Sequence, residues 1–337
     1  MSEELVDQRR KKAQILRFLV GASDQDDRLD RYIARQSVDH RPTNGSCPAL
    51  SRAQASRLCG AGRVLVEGRP QAKSFQVQQG QAVEVHLESP AAAQPAPEMA
   101  LHLILETKQL VVVDKPAGIP CGAVRGSEQG TLAGALLSRF PEMAEVGYGP
   151  LEPGLVHRID NFTSGLVLAA RSTESFEALR KALSEGKLEK RYLALVAPGI
   201  LPPRGEIDAP LCPDPRSKKR VRIDERGIAA LSSFEVVARG SQSDLVVVAA
   251  HRAYRHQIRC HLASWGAPLL GDLLYGSADS RLSPRHALHA YYIKSAAEEV
   301  APFEAKSPLP EDLRSFLPKD SGALDKLMSK PRSIAKS

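Results

Sequence analysis

Hydrophobic positions recur along the chain in two rhythms. Arg28–Gln36 has helical spacing. After Ser51 that spacing returns: Ala55 and Leu58 share a side, and Gly60 and Gly62 end the run. Ser51-Arg52-Ala53-Gln54 fits a capping box, with Ser51 at the cap and Gln54 three residues on. The pattern predicts two helices, the second with Arg52 and Arg57 off its apolar side and displayed outward. A polar loop holding Pro42, Asn44, Gly45 and Pro48 separates them. Val64 and Val66, then Val83, Val85 and Leu87, alternate with polar neighbours and predict strands.

From Leu101 to Leu317 the rhythm changes to short β-branched runs: Leu101–Leu105, Leu110–Val113, Leu166–Ala170, Tyr192–Val196, Ser232–Val237 and Leu245–Ala250. Helical patterns interleave at Thr131–Phe140, Thr173–Ser184 and His256–Trp265, the last two followed by stops at Gly186 and Gly266. Many strands with few helices predict an α+β fold with a mostly antiparallel mixed sheet, preceded by a small α/β domain. The expected divisions are a basic arm over 1–25, mobile or briefly helical, a small domain over 26–88, a semi-rigid Pro/Ala linker over 89–99 around Ser89–Pro97, a main domain over 100–317 and a basic flexible tail over 318–337.

Composition narrows the class. The chain has 337 residues, 42% hydrophobic and 25% charged, which is ordinary globular usage and excludes a chain disordered throughout, a collagen and a coiled coil. Its apolar runs are far too short for a bilayer-spanning helix, so no membrane partner is expected. No charged-then-apolar leader is visible, which argues against secretion by a cleaved signal. Five cysteines lie far apart without a C-x-x-C pair, arguing against a structural zinc site and for a reduced, cytoplasmic setting. The net charge of +7 is modest as a total. Its distribution says more. Arg28–Lys73 has nine bases against Asp30, Asp39 and Glu67, and Arg216–Arg222 adds five bases in seven residues. Clustered cations on a soluble chain favour a phosphate backbone as partner, because each contact releases counterions.

Three segments could carry chemistry. His157-Arg158-Ile159-Asp160-Asn161-Phe162-Thr163-Ser164-Gly165 sets an acid among His, Arg, Thr and Ser just before a strand. Asp160 is either a turn-shaping carboxylate bonded to Thr163 or Ser164, or a nucleophile or base held ionised by a cation. Tyr192 opens a strand, where taken alone a tyrosine reads as packing. In His256–Leu262, Gln257 and His261 share one helical side, and His256 and Arg259 share another. The two histidines stand five apart, a poor spacing for a metal, and Arg259 could offer a planar cation to a carboxylate.

Together these segments resemble the RluA family of RNA pseudouridine synthases. The resemblance rests on His157–Gly165, on Val111–Gly118 (VVVDKPAG), on Lys190, Tyr192, Ala194 and Val196, on His256–Leu262 followed by Gly266–Gly276, on Leu288-His289-Ala290 and on Gly205–Leu211. It covers about Leu101–Leu317. Upstream, Arg28-Leu29-Asp30 and Ser51–Gly68 resemble the RNA-binding domain of ribosomal protein S-four type, or alpha-L motif. Departures are Ala253-Tyr254-Arg255 before His256, Asn161 after Asp160, Cys121-Gly122 after Gly118, Val66-Glu67-Gly68 and a polar insert near Val38–Ala49. They bear on RNA contacts more than on chemistry, since Asp160, Tyr192 and Arg259 remain.

The resemblance implies isomerisation of uridine to pseudouridine in flipped-out nucleotides of RNA, without cofactor or metal. It assigns Asp160 as the essential carboxylate, Arg259 as its partner, Tyr192 as the ring stacked on uracil and Arg158 as the residue filling the gap or touching a phosphate. Arg28, Arg52, Arg57, Arg63, Lys218, Lys219 and Arg220 are the expected RNA contacts. Ribosomal RNA of the large subunit is favoured, transfer RNA is the alternative, and a monomer is expected. Two rival functions are an inactive RNA-binding assembly factor and a two-carboxylate hydrolase, for which Asp114, Asp208 or Asp272 would have to face Asp160.

Overall fold

The computed structural model describes residues 15–39, 50–87, 92–126, 128–250, 254–276, 283–297, 299–318 and 322–329. Its chain divides into two compact units, Met1–Ala91 and Ala92–Ser337.

The small unit contains β1 (Ile15–Leu19), α1 (Leu29–Asp39), α2 (Arg52–Gly60), β2 (Val64–Val66), β3 (Arg69–Pro70) and β4 (Ala82–His86). Its strands form an antiparallel sheet in the order β1-β4-β2-β3. Ser51 caps α2 by the expected reciprocal pair. Its Oγ accepts from the Gln54 amide at 3.3 Å, and Gln54 Oε1 accepts from the Ser51 amide at 2.8 Å. The arm expected over 1–25 needs correction. Residues 1–14 lie outside the described residues, and Ile15–Leu19 pairs with Ala82–His86. The reason is the alternation of Leu16 and Phe18, which are buried in one core with Leu29, Ile33, Val64, Val83 and Val85. The insert at 40–49 lies outside the described residues.

The large unit is built on β5 (His102–Glu106), β6 (Leu110–Lys115), α3 (Leu132–Arg139), β7 (Ser164–Ala170), α4 (Thr173–Ser184), β8 (Leu188–Val196), β9 (Arg204–Asp208), β10 (Leu211–Asp214), β11 (Ser217–Ile223), β12 (Leu231–Ala238), β13 (Asp244–Ala250), α5 (Gln257–Ser264), β14 (Leu288–Ser295), β15 (Phe303–Lys306), α6 (Glu311–Arg314) and α7 (Gly322–Ser329). Nine strands make one mixed sheet in the order β5-β6-β7-β14-β8-β13-β12-β9, with β15 also on β14. Only the β7–β14 pair is parallel among the described strands. β10 and β11 form a separate two-stranded ribbon. This is the expected α+β architecture.

Central strands are covered on both faces, which is why they read as unbroken apolar runs. Leu166, Leu168 and Ala170 of β7 pack on Phe176, Leu179 and Ala182 of α4. Val167 and Ala169 face the other way, onto Leu132, Ala133 and Leu136 of α3.

Two expected boundaries change here. The linker's residues 88–91 lie outside the described residues, but Ala92–Pro97 is seated rather than free. The Ala93 amide donates to Pro150 O and the Ala96 amide to Gly134 O, and both methyl groups are buried. Alanine, being small and apolar, can close against a helix where a longer spacer residue could not. The tail over 318–337 includes α7, whose Leu324, Leu327 and Met328 pack at helical spacing on a core that includes Leu309 and Leu313. Residues 319–321 and 330–337 lie outside the described residues.

Candidate active site

The centre of the sheet brings three strands into line. Gly165 of β7 pairs with Ala290 of β14, and Ala290 pairs with Tyr192 of β8. Gly165 has φ +110°, and a Cβ there would stand 2.2 Å from Ala290 O. Only glycine lets β14 approach this closely. Asp160 lies one turn before β7, its carbonyl accepting from the Thr163 amide at 3.0 Å.

Buried groups pin this loop from below. Lys115 Nζ donates to Pro116 O, Ile119 O and Asn161 O at 2.8, 2.8 and 3.0 Å, and burial lowers its pKa to about 8. Arg285 donates to Phe162 O and Ser164 Oγ and forks onto Asp312. Thr163 and Ser164 meet His286 and His289 at 2.8 and 2.9 Å. His157 is buried, takes the Leu168 amide on Nε2 at 3.2 Å, and is pushed down to about 3 by burial. The side chains of the 157–165 segment thus divide. His157, Thr163 and Ser164 are held by these bonds, while Arg158 and Asp160, with Thr163 at the edge, line an open cleft.

Helix α5 supplies the cation. Ile258 and Leu262 pack against β8 and β13, and Gln257 Nε2 donates to Leu231 O and Ser232 Oγ. That fixes the helix so that Arg259 points at two acids. Its Nη1 donates to Asp160 Oδ2 at 3.1 Å, and its Nε and Nη2 fork onto Asp272 at 2.8 and 2.9 Å. Burial works against the Asp272 anion, and the Arg259 bonds overcome it, holding that carboxyl below the usual range. His261 turns away from the cleft and engages Ser232 Oγ and Ala209 O, each at 2.9 Å, so both ring nitrogens have protein partners.

Sequence-predicted residues separate into groups. Asp160, Tyr192, Arg259 and Arg158 line one cleft. Tyr192 is buried, and desolvation together with nearby Asp160 raises its hydroxyl pKa well above normal. Arg158 is largely exposed and pairs with Glu152. Lys218, Lys219 and Arg220 are exposed on β11 of the ribbon. In the small unit Arg28 and Arg52 both reach Asp30, at 3.2 and 3.1 Å, while Arg57 is exposed and Arg63 half-buried. Burial alone would raise Asp30, yet these two hydrogen bonds bring its pKa below normal.

Sequence reasoning missed the roles of His256, Asp272 and Tyr275. His256 sits at φ +55° with Nε2 3.9 Å from Asp160 Oδ2. Burial lowers its pKa, with Asp160 acting in opposition. Tyr275 Oη meets His256 Nδ1 at 3.0 Å. Asp272 does not stand across from Asp160 as a second acid; both acids bind one guanidinium. The signal was the run Gly271-Asp272-Leu273-Leu274-Tyr275-Gly276, but only the fold places it against α5.

The chain is similar to several known proteins. A family model described as RNA pseudouridylate synthase matches residues 109–264. An uncharacterized RNA pseudouridine synthase of Chloroflexus aurantiacus is 35% identical over 294 residues, 86% of this chain and 89% of that protein. Ribosomal large subunit pseudouridine synthase D of Xanthomonas campestris is 31% identical over 287 residues, covering 80% and 85% of the two chains. The solved structure of human RNA Pseudouridylate Synthase Domain Containing 1 shares the fold, with a TM-score of 0.54 at 21% identity, over 71% of this chain and 99% of that one.

Proposed function

The chain belongs to the RNA pseudouridine synthase family, and on that premise we propose that it isomerises uridines of large-subunit ribosomal RNA, using Asp160 on a flipped-out nucleotide. The observation that carries the reading is the Asp160–Arg259–Asp272 arrangement at the floor of a cleft that also holds Tyr192. Isomerisation breaks the C–N glycosidic bond, turns the uracil and forms a C–C bond at the same sugar carbon, with no net gain or loss of atoms. Asp160 acts at the sugar as nucleophile or base. Arg259 orients its carboxylate while Asp272 holds the guanidinium in plane. Tyr192 supplies the face on which the uracil rests. A target inside RNA structure must leave its stack, at about a few kcal/mol, and Arg158 is placed at the cleft to occupy the gap or hold a phosphate.

Cationic surfaces offset that cost. The ribbon offers Lys218, Lys219 and Arg220, and the small unit, read as an RNA-binding domain of ribosomal protein S-four type, offers Arg28, Arg52, Arg57 and Arg63. Support for ribosomal RNA is the named activity of the Xanthomonas relative. The free thiols of Cys59, Cys121, Cys212 and Cys260 suit a cytoplasmic setting. A hydrolase would need a second acid across the sugar, yet Asp272 is buried and committed to Arg259. An inactive assembly factor would have no need of the intact Asp160–Arg259 pair.

Mapping pseudouridine in ribosomal and transfer RNA from cells with and without this chain tests the proposal. Sites lost from large-subunit ribosomal RNA are expected. Loss confined to transfer RNA would reassign the substrate, and release of free uracil would indicate a hydrolase.

A further inference from the structure

Among the side chains that hold the basic ribbon, Tyr275 also reaches the reaction centre. On the ribbon side, the Val221 amide donates to Tyr275 Oη at 2.8 Å, and the Arg220 guanidinium lies 5.2 Å from the Tyr275 ring centroid. On the other side, Tyr275 Oη meets His256 Nδ1 at 3.0 Å, and the Arg259 guanidinium lies 5.3 Å from the same ring. Tyr275 therefore stands between a cation of the ribbon and the cation that binds Asp160. Arg255 closes the arrangement by donating to the backbone carbonyls of Lys218 and Arg220 at 3.2 and 2.9 Å.

We propose that Tyr275 is a positioning residue that ties the seat of the β10–β11 ribbon to the orientation of His256 beside Asp160. The phenolic O–H, whose oxygen accepts from the Val221 N–H, is taken to donate to His256 Nδ1. That places the neutral imidazole's proton on Nε2, the atom facing the Asp160 carboxylate. His256 holds a left-handed backbone that a non-glycine residue keeps only when its surroundings over-determine it. Tyr275 is one of those constraints. RNA phosphates drawn to Lys218, Lys219 and Arg220 load the strand whose Val221 amide holds that hydroxyl, so docking and the geometry of Asp160 share one element. The inference rests on the reading of Asp160 as the reacting carboxylate.

Tyr275→Phe keeps the ring and both cation contacts while removing the hydroxyl. The expected result is a fall in kcat on the order of tenfold, with RNA affinity within about twofold of wild type and a melting temperature lowered by only about a few °C, since the Val221 amide loses its acceptor. Arg255→Ala, which loosens the ribbon, should lower kcat as well, and the double variant should lose less than the product of the two single losses. Nitrogen NMR of labelled histidines, with His256→Gln to assign the signal, gives a readout that needs no turnover. Wild type should show one dominant His256 tautomer and Tyr275→Phe a mixture. An unchanged kcat in Tyr275→Phe, a loss confined to KM, or an unchanged His256 signature would overturn the inference. A wild-type chain that forms no pseudouridine would instead refute the proposed function, and the His256 signature would still decide the role of Tyr275.

Discussion

Replacing Arg259 by methionine separates what this residue does for stability from what it does for Asp160. Methionine has similar length, packs beside apolar neighbours and carries no charge. The substitution removes the fork onto Asp272 and the bond to Asp160. The Arg259 and Asp272 side chains are 9% and 0% exposed, so the orphaned carboxylate has no water to turn to. Breaking one side of a buried pair costs about 3–5 kcal/mol. Asp272 keeps the Leu274 and Tyr275 amides, at 3.0 and 3.1 Å, which puts the expectation at the lower end, about 3 kcal/mol. In a unit of this size each kcal/mol moves the melting temperature by about 2–4 °C, so a drop of roughly 6–12 °C is expected. Adding Asp272→Leu removes the stranded charge and should recover more than half of that loss. It should recover no pseudouridine formation, because Asp160 still lacks its cation. Thermal melts at pH 7 with tritium release from uridine-labelled RNA read both quantities. An Arg259→Met chain as stable as wild type, or a double variant less stable than the single one, would refute the reasoning.

Gly165→Ala forces a methyl group toward Ala290 O at a left-handed φ and should cost about 3 kcal/mol or more, read as a lowered melting temperature; an unchanged melt would contradict the close β7–β14 approach. Burial holds His286 and His289 near pKa 4, below the ordinary 6.5. The unfolded chain therefore binds these protons first as pH falls, and stability should drop between pH 6.5 and 4, by on the order of 3 kcal/mol for each histidine. A flat denaturation midpoint across that window would exclude the effect. Replacing Lys218 and Lys219 together by alanine should weaken RNA binding and lower the slope of log affinity against log salt by about 2, measured by titration at several salt concentrations. An unchanged slope would remove the ribbon from the RNA contacts.

Local features were legible in the sequence because local physics decides them. The Ser51/Gln54 capping box and the helix Thr173–Ser184 form as their spacing predicts. Ile15–Leu19 was hidden by the charged run before it, although Leu16 and Phe18 already alternate. In α7 the charges around Leu324, Leu327 and Met328 mask their helical spacing. The candidate site was legible as a set of residues but not as an arrangement. No local pattern announces that β14, last but one of the strands, inserts between β7 and β8. Without that insertion Asp160, Tyr192 and Arg259 share no cleft, and nothing signals that Asp272 holds Arg259 from behind or that Tyr275 joins the ribbon to His256. Sheet order and shared counter-ions are long-range facts.

Asp160→Asn tests the central claim most directly. The amide is nearly isosteric and can still face Arg259, but it can serve as neither nucleophile nor base. Tritium release from RNA labelled at uridine C5, measured beside RNA binding, should fall to background while affinity stays close to wild type. Full turnover by Asp160→Asn would contradict the account.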